Sequence, residues 1–185
     1  MPLTPPALII VDMQKGMATP AAGPRNNPEA ESRIAQLLGH WRVLNAPVVH
    51  IRHMSRTAGS LFWPGQEGAE FQDALQPLDH EQVFEKNVPD AFIHSGLERW
   101  LRVRGIEGVV IVGVSTNNSV EATARTAGNL GFKAIVVSDA TYAYDKVDYA
   151  GTLRSAAEVH AMALANLEGE YAVIRSTADL LTEHL

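Results

Sequence analysis

The chain has 185 residues, 46% of them hydrophobic, and a formal net charge of −6. That length suits one globular domain, residues 1–185, with a sizeable core, and an acidic balance without a Lys/Arg cluster argues against a nucleic-acid partner. With no cysteine, disulfides and thiolate metal sites are excluded.

The N-terminal MPLTPPALIIVDMQ lacks a basic n-region and passes directly into Ala7–Asp12, an apolar run closed by an acid that reads as a central strand. Pro20–Asn27 is a Pro/Gly/Asn-rich loop. Asn27-Pro28-Glu29 predicts a helix start, Asn as cap and Pro in the first position, continuing through Ile34, Leu37, Leu38, Trp41 and Leu44. Pro47–His53 is the second predicted strand. Ser55–Asp79 shows no periodicity, and a loop of that length inside a compact domain is usually functional. A short strand, Gln82–Lys86, precedes an amphipathic segment, Phe92–Arg104, with Leu97, Trp100, Leu101 and Val103 at helical spacing.

The apolar run Val109–Val112 breaks at Gly113 into a polar turn. Asn117–Leu130 then reads as a helix, with Val120, Ala124, Ala127 and Leu130 along one face. Lys133–Ser138 is a strand, Tyr149–Leu167 a helix, Tyr171–Ile174 a strand and Ala178–Glu183 a closing helix. This alternation predicts a mainly parallel α/β sheet covered by helices on both faces. Runs such as Ala7–Val11 and Val109–Val112 are far too short to cross a bilayer, so no membrane partner and a cytoplasmic location are expected.

Asp12, Lys86 and Ser119 each close a predicted strand or open the helix after one. In a parallel sheet such positions share one edge, where ligands bind and helix N-termini present backbone N–H groups; Asn118 and Ser119 are the first helical residues there. A carboxylate at Asp12 is costly to bury without a cation or donor, and Lys86, one of four lysines in the chain, is a plausible partner. The plainer readings are a strand-end acid capping a loop and a solvated lysine. Phe62, Trp63, Tyr142 and Tyr144 fall in loops flanking the same edge, where aromatics wall small planar ligands or merely pack loops. His50 and His53 have a spacing that a metal pair could use, although Arg52 stands between them. Glu121 and Arg125 form an expected i,i+4 ion pair. GVVIVGVSTN lacks G-x-G-x-x-G, which leaves a nucleotide site without support.

The segment Val109–Gly131, VVIVGVSTNNSVEATARTAGNLG, resembles the signature of the isochorismatase-like (cysteine) hydrolases, approximately G-V-x-T-x-x-C-V-x-x-T-A-R. Asp12-Met13-Gln14 and Lys86…Ala91-Phe92 match two further family motifs in the expected order. The resemblance implies a three-layer α/β/α sandwich of Rossmann type, a small-molecule substrate, no cofactor, no metal, and a homodimer or homotetramer. It also implies a triad of Asp12, Lys86 and Ser119, with Ser in place of the family's nucleophilic Cys, and Gln14 beside it. A non-proline cis peptide from Val114 to Ser115 would aim the N–H groups of Ser115 and Ser119 at one point as an oxyanion hole.

An alcohol is several pKa units less acidic than a thiol and needs a strong base within reach to attack. Ser–Lys catalysis needs a neutral lysine, whereas a neighbouring carboxylate favours the charged form. True isochorismatases also lack the Cys and hydrolyse a vinyl ether with the Asp as acid. Acid-assisted hydrolysis by Asp12 is therefore the expectation. Amide cleavage with Ser119 as nucleophile and a catalytically silent ligand-binding protein are the alternatives.

Overall fold

The computed structural model describes residues 5–182, so the Met1–Thr4 end of the N-terminal segment and Glu183 of the expected closing helix lie outside the described residues. In chain order come β1 (Ala7–Val11), α1 (Ala30–Val43), β2 (Val48–His53), β3 (Gln82–Lys86), α2 (Leu97–Val103), β4 (Gly108–Val114), α3 (Glu121–Asn129), β5 (Lys133–Tyr142), β6 (Lys146–Val147), β7 (Leu153–Arg154), α4 (Ala156–Leu167), β8 (Val173–Arg175) and α5 (Thr177–Thr182). Six strands form one sheet in the order β3-β2-β1-β4-β5-β8, and every pairing in it is parallel. β6 and β7 form a separate antiparallel hairpin.

All five residues of β1 are buried, because β1 is central and covered on both sides. Alternation along the strand feeds two cores. Ala7, Ile9 and Val11 pack with Leu97 and Leu101 of α2, Ala124 and Ala127 of α3, and Leu167 of α4. Leu8 and Ile10 pack with Ile34, Leu37, Leu38 and Trp41 of α1 and Leu180 of α5. The sheet is thus the middle of three layers. Strand order turns outward in both directions from the β1–β4 pair, which makes that pair the switch point of a doubly wound fold.

β5 runs on to Tyr142, which the sequence reading placed in a loop, and the starts of four helices differ from expectation for local reasons. Helix α1 begins at Ala30 and not at Pro28, and Asn27 does not cap it, because Asn27 takes a left-handed φ of +46° and its side-chain amide donates to the Ser138 and Thr141 carbonyls at 2.8 and 2.6 Å. Only Leu97–Val103 of the expected 92–104 helix is helical. The Phe92 N–H goes to Asp90 Oδ1 at 2.8 Å, the Ala91 N–H goes to Thr123 Oγ1 at 3.0 Å, and His94 has a φ of +54°. Helix α4 starts at Ala156, where Ser155 and Glu158 form a capping box, and Tyr149 lies in the turn between β6 and β7. The expected helix from Asn117 opens as a π turn, Thr116–Val120, before α3. Among the described residues no helix is long and apolar enough to cross a membrane.

Candidate active site

Asp12, Lys86 and Ser119 meet at the carboxyl edge of the sheet, at the switch point. Asp12 directly follows β1 with a left-handed φ of +54°, a conformation that costs a non-glycine residue about 1–2 kcal/mol and clusters at functional sites. The chain leaves the sheet there, with the Asp12 N–H held by the Ile51 carbonyl at 3.0 Å. Lys86 is the last residue of β3, and Ser119 lies in the π turn that joins β4 to α3. Such turns are rare and recur at functional sites.

Lys86 Nζ donates to Asp12 Oδ2 at 2.7 Å and to Ser119 Oγ at 3.3 Å. The three residues are 1%, 3% and 6% exposed for Asp12, Lys86 and Ser119. Burial pushes the Asp12 carboxyl above the usual carboxylate range; the charge and hydrogen bond of Lys86 pull the other way, and Ser119 adds a smaller pull. Asp12 Oδ1 is buried without a hydrogen-bond partner in the protein, so one oxygen of the pair is uncommitted.

Gly113 explains how closely the two central strands approach here. Its Cα pairs with Val11, its φ is +117°, and a Cβ in its place would lie 2.1 Å from the Val11 carbonyl oxygen. Glycine alone fits that backbone. The Val114–Ser115 peptide that follows is cis, as the motif resemblance implied.

The remaining candidates separate. Gln14 is buried, and its amide is spent on the protein: Nε2 donates to the His53 and Ala69 carbonyls, both at 2.9 Å, and Oε1 accepts the His53 N–H at 2.8 Å. It bolts the end of β2 to the long loop and has no polar atom left over for a ligand. Val114 is buried at the end of β4, and the Ser115 carbonyl accepts the N–H groups of Asn118 and Val120 at 3.0 and 3.2 Å. The Asn118 side chain is exposed. Phe62 is half-buried, edge-on to His53 at 6.0 Å, whereas Trp63 beside it is exposed. Tyr142 is fully buried in the α1-side core with the Arg25 guanidinium 4.1 Å above its ring and Tyr144 edge-on at 5.7 Å, so it supports the edge from behind. Glu121 and Arg125 form the expected pair at 2.8 Å.

The histidines of β2 go separate ways, because residues three apart on a strand face opposite sides. His50 is buried against Glu81 at 2.9 Å. His53 is the register partner of Lys86, and its ring is coupled to the Asp12–Lys86 pair. Burial lowers its pKa, Asp12 pulls it up and Lys86 pulls it down. Sequence reasoning considered His53 only as a metal candidate. The usable signal was its place at the end of β2 beside the end of β3.

A doubly wound α/β sheet with a buried carboxylate, ammonium and hydroxyl gathered at its switch point defines an α/β protein with an enzyme-like site. The family model described as "Isochorismatase domain" matches residues 6–179, and the chain belongs to the isochorismatase family of hydrolases. It is 39% identical over 179 residues to the uncharacterized isochorismatase family protein YrdC of Bacillus subtilis, covering 97% of this chain and 96% of that one. It is 32% identical over 139 residues to a streptothricin hydrolase of Streptomyces noursei, covering 75% of this chain and 50% of that protein. A putative hydrolase of the isochorismatase family from Chromobacterium violaceum superimposes with a TM-score of 0.95 at 46% identity, covering 98% of this chain and 94% of that one.

Proposed function

We propose that the chain hydrolyses a small molecule without a covalent intermediate, with Asp12 as proton donor, Lys86 as its anchor and Ser119 at the position of the family's nucleophilic cysteine. The observation that carries this reading is the Lys86 ammonium bridging Asp12 Oδ2 and Ser119 Oγ while Asp12 Oδ1 stays uncommitted. A carboxyl held above its ordinary range keeps its proton to higher pH, which suits a general acid.

For a vinyl ether the step balances as follows. The Asp12 carboxyl gives its proton to the terminal carbon of C=C–O, leaving an oxocarbenium ion. Water adds to that ion and returns a proton to the Asp12 carboxylate. As the hemiketal breaks its C–O bond, its hydroxyl proton passes to the departing oxygen, which leaves an alcohol and a carbonyl compound. Lys86 holds the Asp12 side chain in place and balances the charge that the carboxylate carries once its proton has left. The Asp12 carboxylate left by the proton transfer faces the positive charge of the oxocarbenium ion.

A second reading is C–N cleavage with Ser119 as nucleophile. It is favoured by the streptothricin hydrolase relative and by the 3.3 Å contact between Lys86 Nζ and Ser119 Oγ. Against it stands Asp12, whose carboxylate beside Lys86 favours the charged lysine that cannot serve as base. Purified protein is assayed on amides, carbamoyl compounds and vinyl ethers, and mass spectrometry searches for an acyl adduct on Ser119. Turnover of a vinyl ether without an adduct supports the first reading; an adduct supports the second.

The same reading includes a homo-oligomer in the cytoplasm. Exposed Met162 lines a cleft of about 880 Å³ along α4, and Tyr149 and Leu153 of the β6–β7 hairpin are exposed as well; they are apolar surface that a second copy would cover.

A further inference from the structure

We propose that His160 is a positioning residue for this site: it holds the Thr116 hydroxyl and thereby fixes the turn that presents Ser119 to Lys86. The inward face of α4 consists of Ala156, His160, Ala163 and Leu167. One imidazole among three apolar side chains is costly to bury unless its nitrogens are satisfied. His160 Nδ1 lies 2.8 Å from Thr116 Oγ1, and both groups are buried, at 9% and 0% exposure.

Thr116 opens the π turn, three residues before Ser119. Its carbonyl accepts the Glu121 N–H at the far end of that turn. The turn is therefore tied to its own helix through the Thr116 backbone and to α4 through the Thr116 side chain. A π turn makes fewer well-aligned internal bonds than a regular helix, so a tether from outside sets its shape. Burial holds the His160 ring below the usual histidine range, with the Ser138 backbone pulling the other way. Near pH 7 the ring is neutral, and Nδ1 accepts the hydroxyl proton of Thr116. His160 touches no reacting atom in this arrangement; it acts through Thr116.

This inference rests on the proposed site only through the placement of Ser119, and its test needs no substrate. The chain has no cysteine, so Ser119→Cys creates a single thiol facing Lys86 and Asp12. Its apparent pKa is read from the pH dependence of iodoacetamide alkylation, with the melting temperature recorded in parallel. In the Ser119→Cys background, His160→Leu and Thr116→Val are each expected to reduce the thiolate fraction at neutral pH about tenfold, one pKa unit, as the thiol moves off Lys86. His160→Asn keeps a polar atom near the Nδ1 position and restores the parent profile. The double variant His160→Leu/Thr116→Val shifts no further than either single change, because both delete one contact. A thiol pKa unchanged in folded His160→Leu or Thr116→Val overturns the proposal, as do additive shifts in the double variant. If vinyl ethers are not hydrolysed but the thiol responds to His160, the function reading fails and the positioning role stands.

Discussion

Lys86 Nζ lies 2.7 Å from Asp12 Oδ2, although 74 residues separate the two and both are buried. The pair exists because β1 and β3 end on the same edge of one parallel sheet. Its energetics are lopsided. Desolvating two charges offsets most of their attraction, whereas removing one partner strands the other in a dry site. Lys86→Met is therefore expected to cost about 3–5 kcal/mol in urea unfolding, and Asp12→Asn/Lys86→Met less than Lys86→Met alone. A double variant less stable than Lys86→Met would contradict this account of the pair.

A second buried cluster governs acid stability. Arg42 binds Glu81 through two hydrogen bonds of 2.7 and 2.9 Å, His50 reaches the same carboxylate at 2.9 Å, and the Leu78 N–H adds a fourth bond. Burial pushes the Glu81 carboxyl up, but the Arg42 bonds, the Leu78 N–H and His50 together outweigh it and bring the pKa down to about 2. A carboxyl depressed on folding contributes stability that is present above its unfolded value of 4.5 and lost as pH falls toward 2. His50, His53 and His160 are lowered by burial, so protonation opposes folding once pH drops below their unfolded value of 6.5. Urea midpoints measured from pH 7 to pH 2 should fall in two stages. Glu81→Gln should flatten the second stage and steepen the first, because His50 loses the carboxylate that pulls its pKa up.

Two glycines predict opposite outcomes for the same substitution. At Gly113 an added Cβ would overlap the Val11 backbone at a φ of +117°, so Gly113→Ala is expected to cost about 4 kcal/mol or more, or to prevent folding. Gly39 lies on the exposed face of α1 with nothing within 4 Å of the Cβ position, and Gly39→Ala should stabilise by about 0.5–1 kcal/mol. Thermal melts of the two variants check both signs.

The convergence of Asp12, Lys86 and Ser119 was legible because strand ends are legible: apolar runs closed by a polar residue place that residue on the sheet edge. The parallel sheet followed from the same alternation. Helix starts were less legible, because Asn27 bonds across to β5 and Tyr149 belongs to a hairpin. The Ser155-x-x-Glu158 pattern is the sequence mark of the true start of α4. Gln14 and Tyr142 carry functional-looking chemistry but are consumed by packing, a distinction that depends on partners up to 55 residues away for Gln14. The Thr116–His160 contact spans 44 residues and left one trace, a lone histidine on an otherwise apolar helix face.

The role of Asp12 sets the direction of the pH–rate profile. A general acid works while protonated, so kcat/KM should be level at low pH and fall as pH rises through the raised Asp12 pKa. A profile that instead rises with pH through that range would mark Asp12 as a base.

The most direct test of the central claim compares Asp12→Asn with Ser119→Ala on one hydrolysed substrate. Asp12→Asn nearly conserves shape but deletes the proton, and a fall of about 10²–10⁴-fold in kcat is expected, the range of general acid catalysis. Ser119→Ala keeps the backbone N–H groups of the turn, and a loss under about tenfold is expected, the scale of one hydrogen bond. Equal collapse of both variants, or an acyl adduct on Ser119 of the wild-type chain, would contradict the account and make the serine the nucleophile.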